Sequence, residues 1–242
     1  MYRYSKGDLV VHNLFRQFTV RRILSIRILA FMMTLLCGYI NATIFLRFEY
    51  GGTHQTGNIS KIALSILSLD FYTCLGLIGV VCSFFCGAFI SGIINHEAFL
   101  KLKRSFGILL LIGGIGLWVL NFIFKESHIL NYYCGFYAGI QNGFLTHNKI
   151  KLRASHVSGC ITDAGFYFAG ICRGDTMHFE RFILDIANIL LFFLGVFIGG
   201  FLFLHVHDYV YLILSVLYIG VSIYYFILVR LFFSHTIYLK IL

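Results

Sequence analysis

The sequence predicts an all-α integral membrane protein built from a duplicated unit, and three observations carry that expectation. The first is composition: of 242 residues, 59% are hydrophobic and only 12% charged, with a mean hydropathy of +0.86, where a soluble domain carries about a quarter charged residues. The second is a succession of apolar runs, several of them long enough to cross a bilayer, which takes about 20 residues. The third is a polar stretch, Thr53-His54-Gln55-Thr56-Gly57-Asn58, with a partner at Ser155-His156-Val157-Ser158-Gly159.

Taken in order, the segment before Ile23 is basic, with Arg3, Lys6, Arg16, Arg21 and Arg22, and the positive-inside rule puts it in the cytoplasm. The apolar run that follows reaches Phe45, too long for the core of a cleaved signal peptide. It reads as a first helix, with Arg27 snorkelling to the near interface and Asn41 facing the bundle near the far end. After Gly51-Gly52 and the first polar stretch, the run from Ile59 to Leu69 is only about eleven residues. At 1.5 Å per residue it cannot cross a core of roughly 30 Å, so it reads as a re-entrant half-helix.

Crossing runs are expected at Phe71 to Asn95, Phe106 to Phe124, Ile129 to Thr146, Phe182 to Leu204 and Tyr209 to Phe233. The segment from His156 to Cys172 holds Thr162 and Asp163 and reads as a second half-helix. Gly135, Gly139 and Gly143 share one helix face where a neighbouring backbone can approach. With no proline and 24 glycines, close packing and breaks fall to glycine.

The halves align with an offset of 102, which sets His54 on His156, Thr56 on Ser158, Gly57 on Gly159 and Lys61 on Asp163. An offset of 101 sets Gly38 and Asn41 on Gly139 and Asn142, and one of 108 sets Gly87 and Gly92 on Gly195 and Gly200. The duplicated unit covers about 23 to 124 and about 129 to 233 of a single membrane domain, residues 1 to 242. If both short segments are re-entrant, six helices cross, and the N-terminus, the Lys101-Lys103-Arg104 and Lys149-Lys151-Arg153 clusters and the end with Arg230 and Lys240 all fall inside. Three crossings per half give inverted repeats, whose polar stretches enter from opposite sides and meet near the midplane, where such folds bind solute. Seven or eight crossings, with parallel repeats, is the alternative.

The motifs Gly38-Tyr39-Ile40-Asn41-Ala42, Thr53 to Asn58, Gly139-Ile140-Gln141-Asn142-Gly143 and His156 to Gly165 resemble the YoaK family of bacterial multi-pass membrane proteins over roughly residues 25 to 225. The chain departs from it at Asn41, where aspartate is common, and at Ser158, where threonine is usual. The family is functionally uncharacterised, so the resemblance implies membrane location and duplication and no substrate.

Polar residues at membrane depth are costly and mark pathways or sites. His54, Thr56, Gly57, Asn58, Lys61, His156, Ser158, Gly159, Thr162 and Asp163 are therefore the expected solute or ion pathway, with Asn41, Gln141 and Asn142 as weaker cavity-lining candidates. Lys61 and Asp163 could pair across the pseudo-twofold axis; alternatively, Lys61 snorkels and Asp163 caps. Thr56, Asn58, Ser158 and Thr162 could equally cap their helices. Two histidines are too few for a closed metal site, and His205-Val206-His207-Asp208 reads as a solvated turn. The seven cysteines sit in or beside apolar runs and read as small hydrophobes.

The charge of +9 lies between apolar runs and suits anionic headgroups rather than nucleic acid. No nucleophile elbow, phosphate loop or zinc helix is present. The expectation is a non-enzymatic protein of the bacterial cytoplasmic membrane with a cytoplasmic N-terminus and no cofactor. A transporter or channel for a small polar solute or ion is expected first, a non-transporting scaffold second and an intramembrane enzyme last. Its partner is the lipid bilayer; its oligomeric state is open.

Overall fold

A computed structural model describes the backbone of residues 6–94, 102–124, 128–146 and 154–238. Arg3, Asn95, Lys101, Lys149, Lys151, Arg153 and Lys240 lie outside the described residues. Among the described residues there are eight α-helices: α1 Lys6–Phe48, α2 Gln55–Leu67, α3 Phe71–Ile94, α4 Arg104–Ile123, α5 His128–Thr146, α6 Val157–Cys172, α7 Phe179–His205 and α8 Val210–Tyr238. Short 3-10 turns at Thr176–His178 and His207–Tyr209 lead into α7 and α8.

The chain is an all-α multi-pass membrane protein. Val20–Phe48, Phe71–Ile94, Arg104–Ile123, Thr176–His205 and Val210–Leu231 are each long and apolar enough to cross a membrane. The expected sixth crossing, α5, has 19 residues, enough for about 28 Å, but is less apolar than the others. The reason is its place in the bundle: Asn131, Gln141 and Asn142 are buried, so its polar side chains meet protein instead of lipid. By contrast, α3 and α7 turn Leu75, Phe85, Phe89, Phe193, Phe197 and Phe201 outward, as lipid-facing surfaces do. The first helix begins earlier than Ile23, at Lys6, and Arg27 is ion-paired with Glu180 at the start of α7.

The directions of the helices follow from what touches what. Along α1 and α7, Thr34 bonds Asn188, Gly38 lies on Phe192 and Val196, and Gly199 lies on Tyr39, so the two run parallel. Along α3 and α5, Gly79 meets Tyr132, Gly139 meets Phe84 and Ala88, and Gly143 meets Ser91, again parallel. Cys37 bonds Gln141 while Tyr50 bonds Asn131, so α1 and α5 are antiparallel. The pairs α1 with α8 and α4 with α8 are antiparallel too: Tyr39 reaches Val210 while Tyr224 reaches Ser25, and Gly114 accepts from Ser215 while Gly107 accepts from Ser222.

The six long helices therefore alternate in direction, and Arg21, Arg22, Arg27, Lys103, Arg104, Arg173, Arg181 and Arg230 gather at one end. Arg47, Glu49 and Asp70 stand at the other. The contacts are paired as well: α1 with α7 answers α5 with α3, α2 with α3 answers α6 with α7, and α1 with α8 answers α5 with α4, while α4 packs on α8. Each half thus closes on the other, and α5 has the direction opposite to α1.

Candidate functional site

Neither polar stretch runs the length of the bundle. After α1 the next residue, Glu49, takes the left-handed conformation (φ 60°) usual just past a helix C-terminus, and the chain doubles back beside its own helix. Gly51 and Gly52 make this possible: a Cβ on Gly51 would stand 2.8 Å from the Asn41 Oδ1, and one on Gly52 would strike the Ile44 and Ile40 side chains. Asn41 then pins the returning chain, accepting from the Thr53 N–H at 3.3 Å and its hydroxyl at 3.1 Å. In the second half Asn142 accepts from the Ser155 N–H at 3.3 Å and its hydroxyl at 3.2 Å. The same bond pattern is built twice.

At each pinned point a half-helix begins. The N-cap positions are His54 and His156, and neither makes a side-chain capping bond. Instead, each imidazole folds back over the first turn of its own helix. A Cβ at Gly57 would lie 2.8 Å from the His54 Nε2, and one at Gly159 would clash with the Cδ2–Nε2 edge of the His156 ring. The His-x-x-Gly spacing of both motifs is thus steric: glycine is the residue that leaves room for the ring. The hydroxyls and amide expected to cap do other things. Asn58 is buried and donates to the Gly51 carbonyl at 2.6 Å, while Thr162 donates to the Ser158 carbonyl at 3.0 Å, one turn back.

The two half-helices start facing one another across a cavity of about 660 Å³. Its lining comes in equivalent pairs: Asn41 and Asn142, Thr53 and Ser155, His54 and His156, Thr56 and Ser158, Phe84 and Phe192, joined by Gln55, Val157 and Ile161. Phe84 lies near the middle of α3 and Phe192 near the middle of α7, which sets the cavity at mid-bundle. The walls are positioned by the glycines at the helix crossings, since Gly139 seats α5 on the Phe84 carbonyl and Gly38 seats α1 on that of Phe192. With two uncapped helix N-termini, two histidines and neutral amides and hydroxyls, the lining offers donors and acceptors without fixed charge.

Several expected residues lie elsewhere. Gln141 does not line the cavity; it accepts from the Cys37 thiol at 2.8 Å and donates to the Tyr218 hydroxyl at 2.7 Å in the buried core. Lys61 and Asp163 do not pair. The half-helices point N-terminus to N-terminus and diverge, so each charge is carried about 9 Å along its helix from the first residue, in opposite directions. Lys61 bonds the Glu49 carbonyl and lies 5.8 Å from the Phe45 ring centre, while Asp163 interacts with Asp185 of α7. Gly57, Gly159, Asn58 and Thr162 shape the half-helices without lining the cavity.

Sequence reading missed Phe84 and Phe192, although the offset of 108 that aligned Gly87 with Gly195 also aligns this pair. It also missed Asp185, a carboxylate in a long apolar run that the fold buries to 9% exposure. Among the described residues no three His, Cys, Asp or Glu side chains gather as metal ligands. The cysteines are all free: Cys37, Cys74, Cys134 and Cys160 are buried, whereas Cys82, Cys86 and Cys172 are exposed.

A family model described as a protein of unknown function, DUF1275, matches residues 29–224. No curated protein and no solved structure matches the chain.

Proposed function

The chain belongs to the DUF1275 family of proteins of unknown function, and we propose that it is a transporter or channel that passes a small polar solute or ion through the cavity between α2 and α6. One observation carries this reading: two re-entrant half-helices, entering from opposite ends of a six-helix crossing bundle, present their N-termini to a common cavity at mid-depth. Irregular backbone is tolerated at membrane depth where it lines a cavity, and a site at the interface of inverted repeats is where alternating access places a solute. The paired contacts support a duplicated unit of about 23–124 and 129–233.

The chemistry of the lining supports passage over catalysis. Ser155 and Ser158 stand with two histidines, but among the described lining residues no carboxylate orients either imidazole, as a nucleophile–base pair requires. The concentration of arginine and lysine at one end supports a cytoplasmic N-terminus in the bacterial cytoplasmic membrane.

The test is flux. Purified protein in proteoliposomes should move at least one of a panel of small anions, cations, polyols or protons down an imposed gradient, and His54→Ala with His156→Ala should change the rate. A protein that moves none of them under any gradient is a scaffold. Reporters fused after Lys103 and after Lys240 should both read cytoplasmic; either one outside removes the inverted arrangement.

A further inference from the structure

We propose that Asp185 is a proton-binding site coupled to the central cavity, so that the carboxylate takes up a proton from the arginine-rich end of the bundle and the carboxylic acid returns it as α6 moves on α7. This rests on the cavity reading above and names its coupling ion.

The first support is burial. Asp185 is the only acidic or basic side chain buried among the described residues, at 9% exposure, and it sits on α7 two turns in from the helix start. A charge held there is costly and marks a proton relay or ion pathway. From α6 Cys160 and Asp163 face it, and from α7 Arg181. Two charge pairs stand nearby at this end: Arg27 of α1 with Glu180, and His178 of the 3-10 turn with Asp175.

The second is position. Arg181, Asp185, Asn188 and Phe192 are spaced four, three and four residues apart, which places them on one face of α7. That face runs from an exposed arginine to the cavity wall. Asn188 continues the polar track, donating to the Cys160 sulfur at 3.3 Å and accepting from the Thr34 hydroxyl at 2.6 Å. The track therefore joins α7 to the half-helix α6 whose first turn lines the cavity.

The third is asymmetry. By the alignment of the halves, Asp185 and Asn188 correspond to Leu77 and Val80 of α3, both fully buried. The same packing position is filled by plain hydrocarbon in the other half. The fold does not need a carboxylate at this place, yet one half has it. A proton is the ion that fits, because a hard cation takes about six oxygen ligands, whereas two of the groups facing Asp185 are the Cys160 sulfur and the Arg181 guanidinium, neither of them an oxygen donor.

The experiment uses the full chain in lipid nanodiscs. Infrared difference spectra between acid and alkaline buffer should show a carboxylic C=O band that shifts in D₂O, is lost in Asp185→Asn and persists in Asp163→Asn. In a background without the exposed cysteines, the rate at which a Ser158→Cys thiol reacts with a polar maleimide, divided at each pH by that of a variant keeping Cys172 as its one exposed thiol so that thiolate formation cancels, should change by about tenfold, the change one pKa unit of linkage supplies. Asp185→Asn and Asp185→Leu, the latter copying Leu77, should abolish that pH dependence while staying folded. A band unaltered by Asp185→Asn, or a pH dependence that survives it, overturns the proposal. Failure of both variants to fold also overturns it, by making the carboxylate a packing requirement. A Ser158→Cys thiol that no reagent reaches at any pH sinks the cavity reading instead, and the infrared band still decides for or against Asp185.

Discussion

Gly139→Ala should cost more than any exposed substitution in the bundle. Gly139 lies where α5 crosses α3, and a Cβ there would stand 2.8 Å from the Phe84 carbonyl carbon, closer still to its oxygen, and 3.0 Å from the Ala88 nitrogen. The obstacles are backbone atoms of a helix, which no rotamer change can clear. To restore ordinary contact, α5 must withdraw from α3 by about 1 Å. Gly135 and Gly143 sit on the same seam, where an added Cβ would stand 3.4 Å from the Val80 oxygen and 3.0 Å from the Ala88 oxygen, so the withdrawal loosens three close crossings together.

Overpacking of this kind costs about 1–3 kcal/mol or more, and the loosened seam forfeits dispersion energy besides. Against it stands the gain of about 1 kcal/mol from replacing glycine by alanine within a helix. The expected net loss is about 2 kcal/mol, which lowers the midpoint of thermal unfolding by several degrees. The control is Gly220→Ala, where nothing lies within 4 Å of the added carbon, so the propensity gain should appear alone. Circular dichroism melts in one detergent compare the two. Gly139→Ala melting at or above the parent would refute the close crossing of α3 and α5, and with it the placement of Phe84 in the cavity wall.

Other outcomes follow from the same geometry. Gly57→Ala and Gly159→Ala should barely alter stability, since the obstacle is a movable imidazole, but should shift the His54 or His156 ring resonances in NMR spectra as the ring swings off the helix. Asn41→Ala and Asn142→Ala each remove two hydrogen bonds that hold a returning chain, worth about 1 kcal/mol apiece; amide exchange at Thr53 or Ser155 should accelerate in the matching variant alone. Exchanging the charges, Lys61→Asp with Asp163→Lys, should give no rescue over the single variants, and measurable coupling in that cycle would contradict the divergence of the half-helices. Asp70 is held below the usual carboxylate range by the Thr73 hydroxyl and N–H at the start of α3. Its contribution is therefore present above the unfolded pKa and lost as the pH falls through the folded one, so exchange protection at Thr73 should weaken only in acid and Asp70→Asn should flatten that profile.

Much of this protein is legible in its residues. Apolar runs fix the helices because a bilayer demands about 20 hydrophobic residues for each crossing, and the runs after Gly57 and Gly159 are visibly too short. Recurrence of His54, Gly57 and Asn41 at His156, Gly159 and Asn142 matches the paired geometry of the two half-helices, and the basic clusters mark one end of the bundle. Which polar residues converge is a different matter. Lys61 and Asp163 are equivalent in sequence, yet equivalence about an inverting axis sends them to opposite ends, because each rides its own helix away from the cavity. Gln141 and Asn142 are neighbours in the chain, but the 100° step between helical residues turns one into the core and the other to Ser155. Asp185 looks like a stray acid in a hydrophobic run until α6 covers it. Hydrophobic period and repeat spacing are local properties, so the sequence by itself determined the helices, the half-helices and their pairing. The cavity, the divided charges and the buried carboxylate arise from which helix faces meet, and only the tertiary packing decided that.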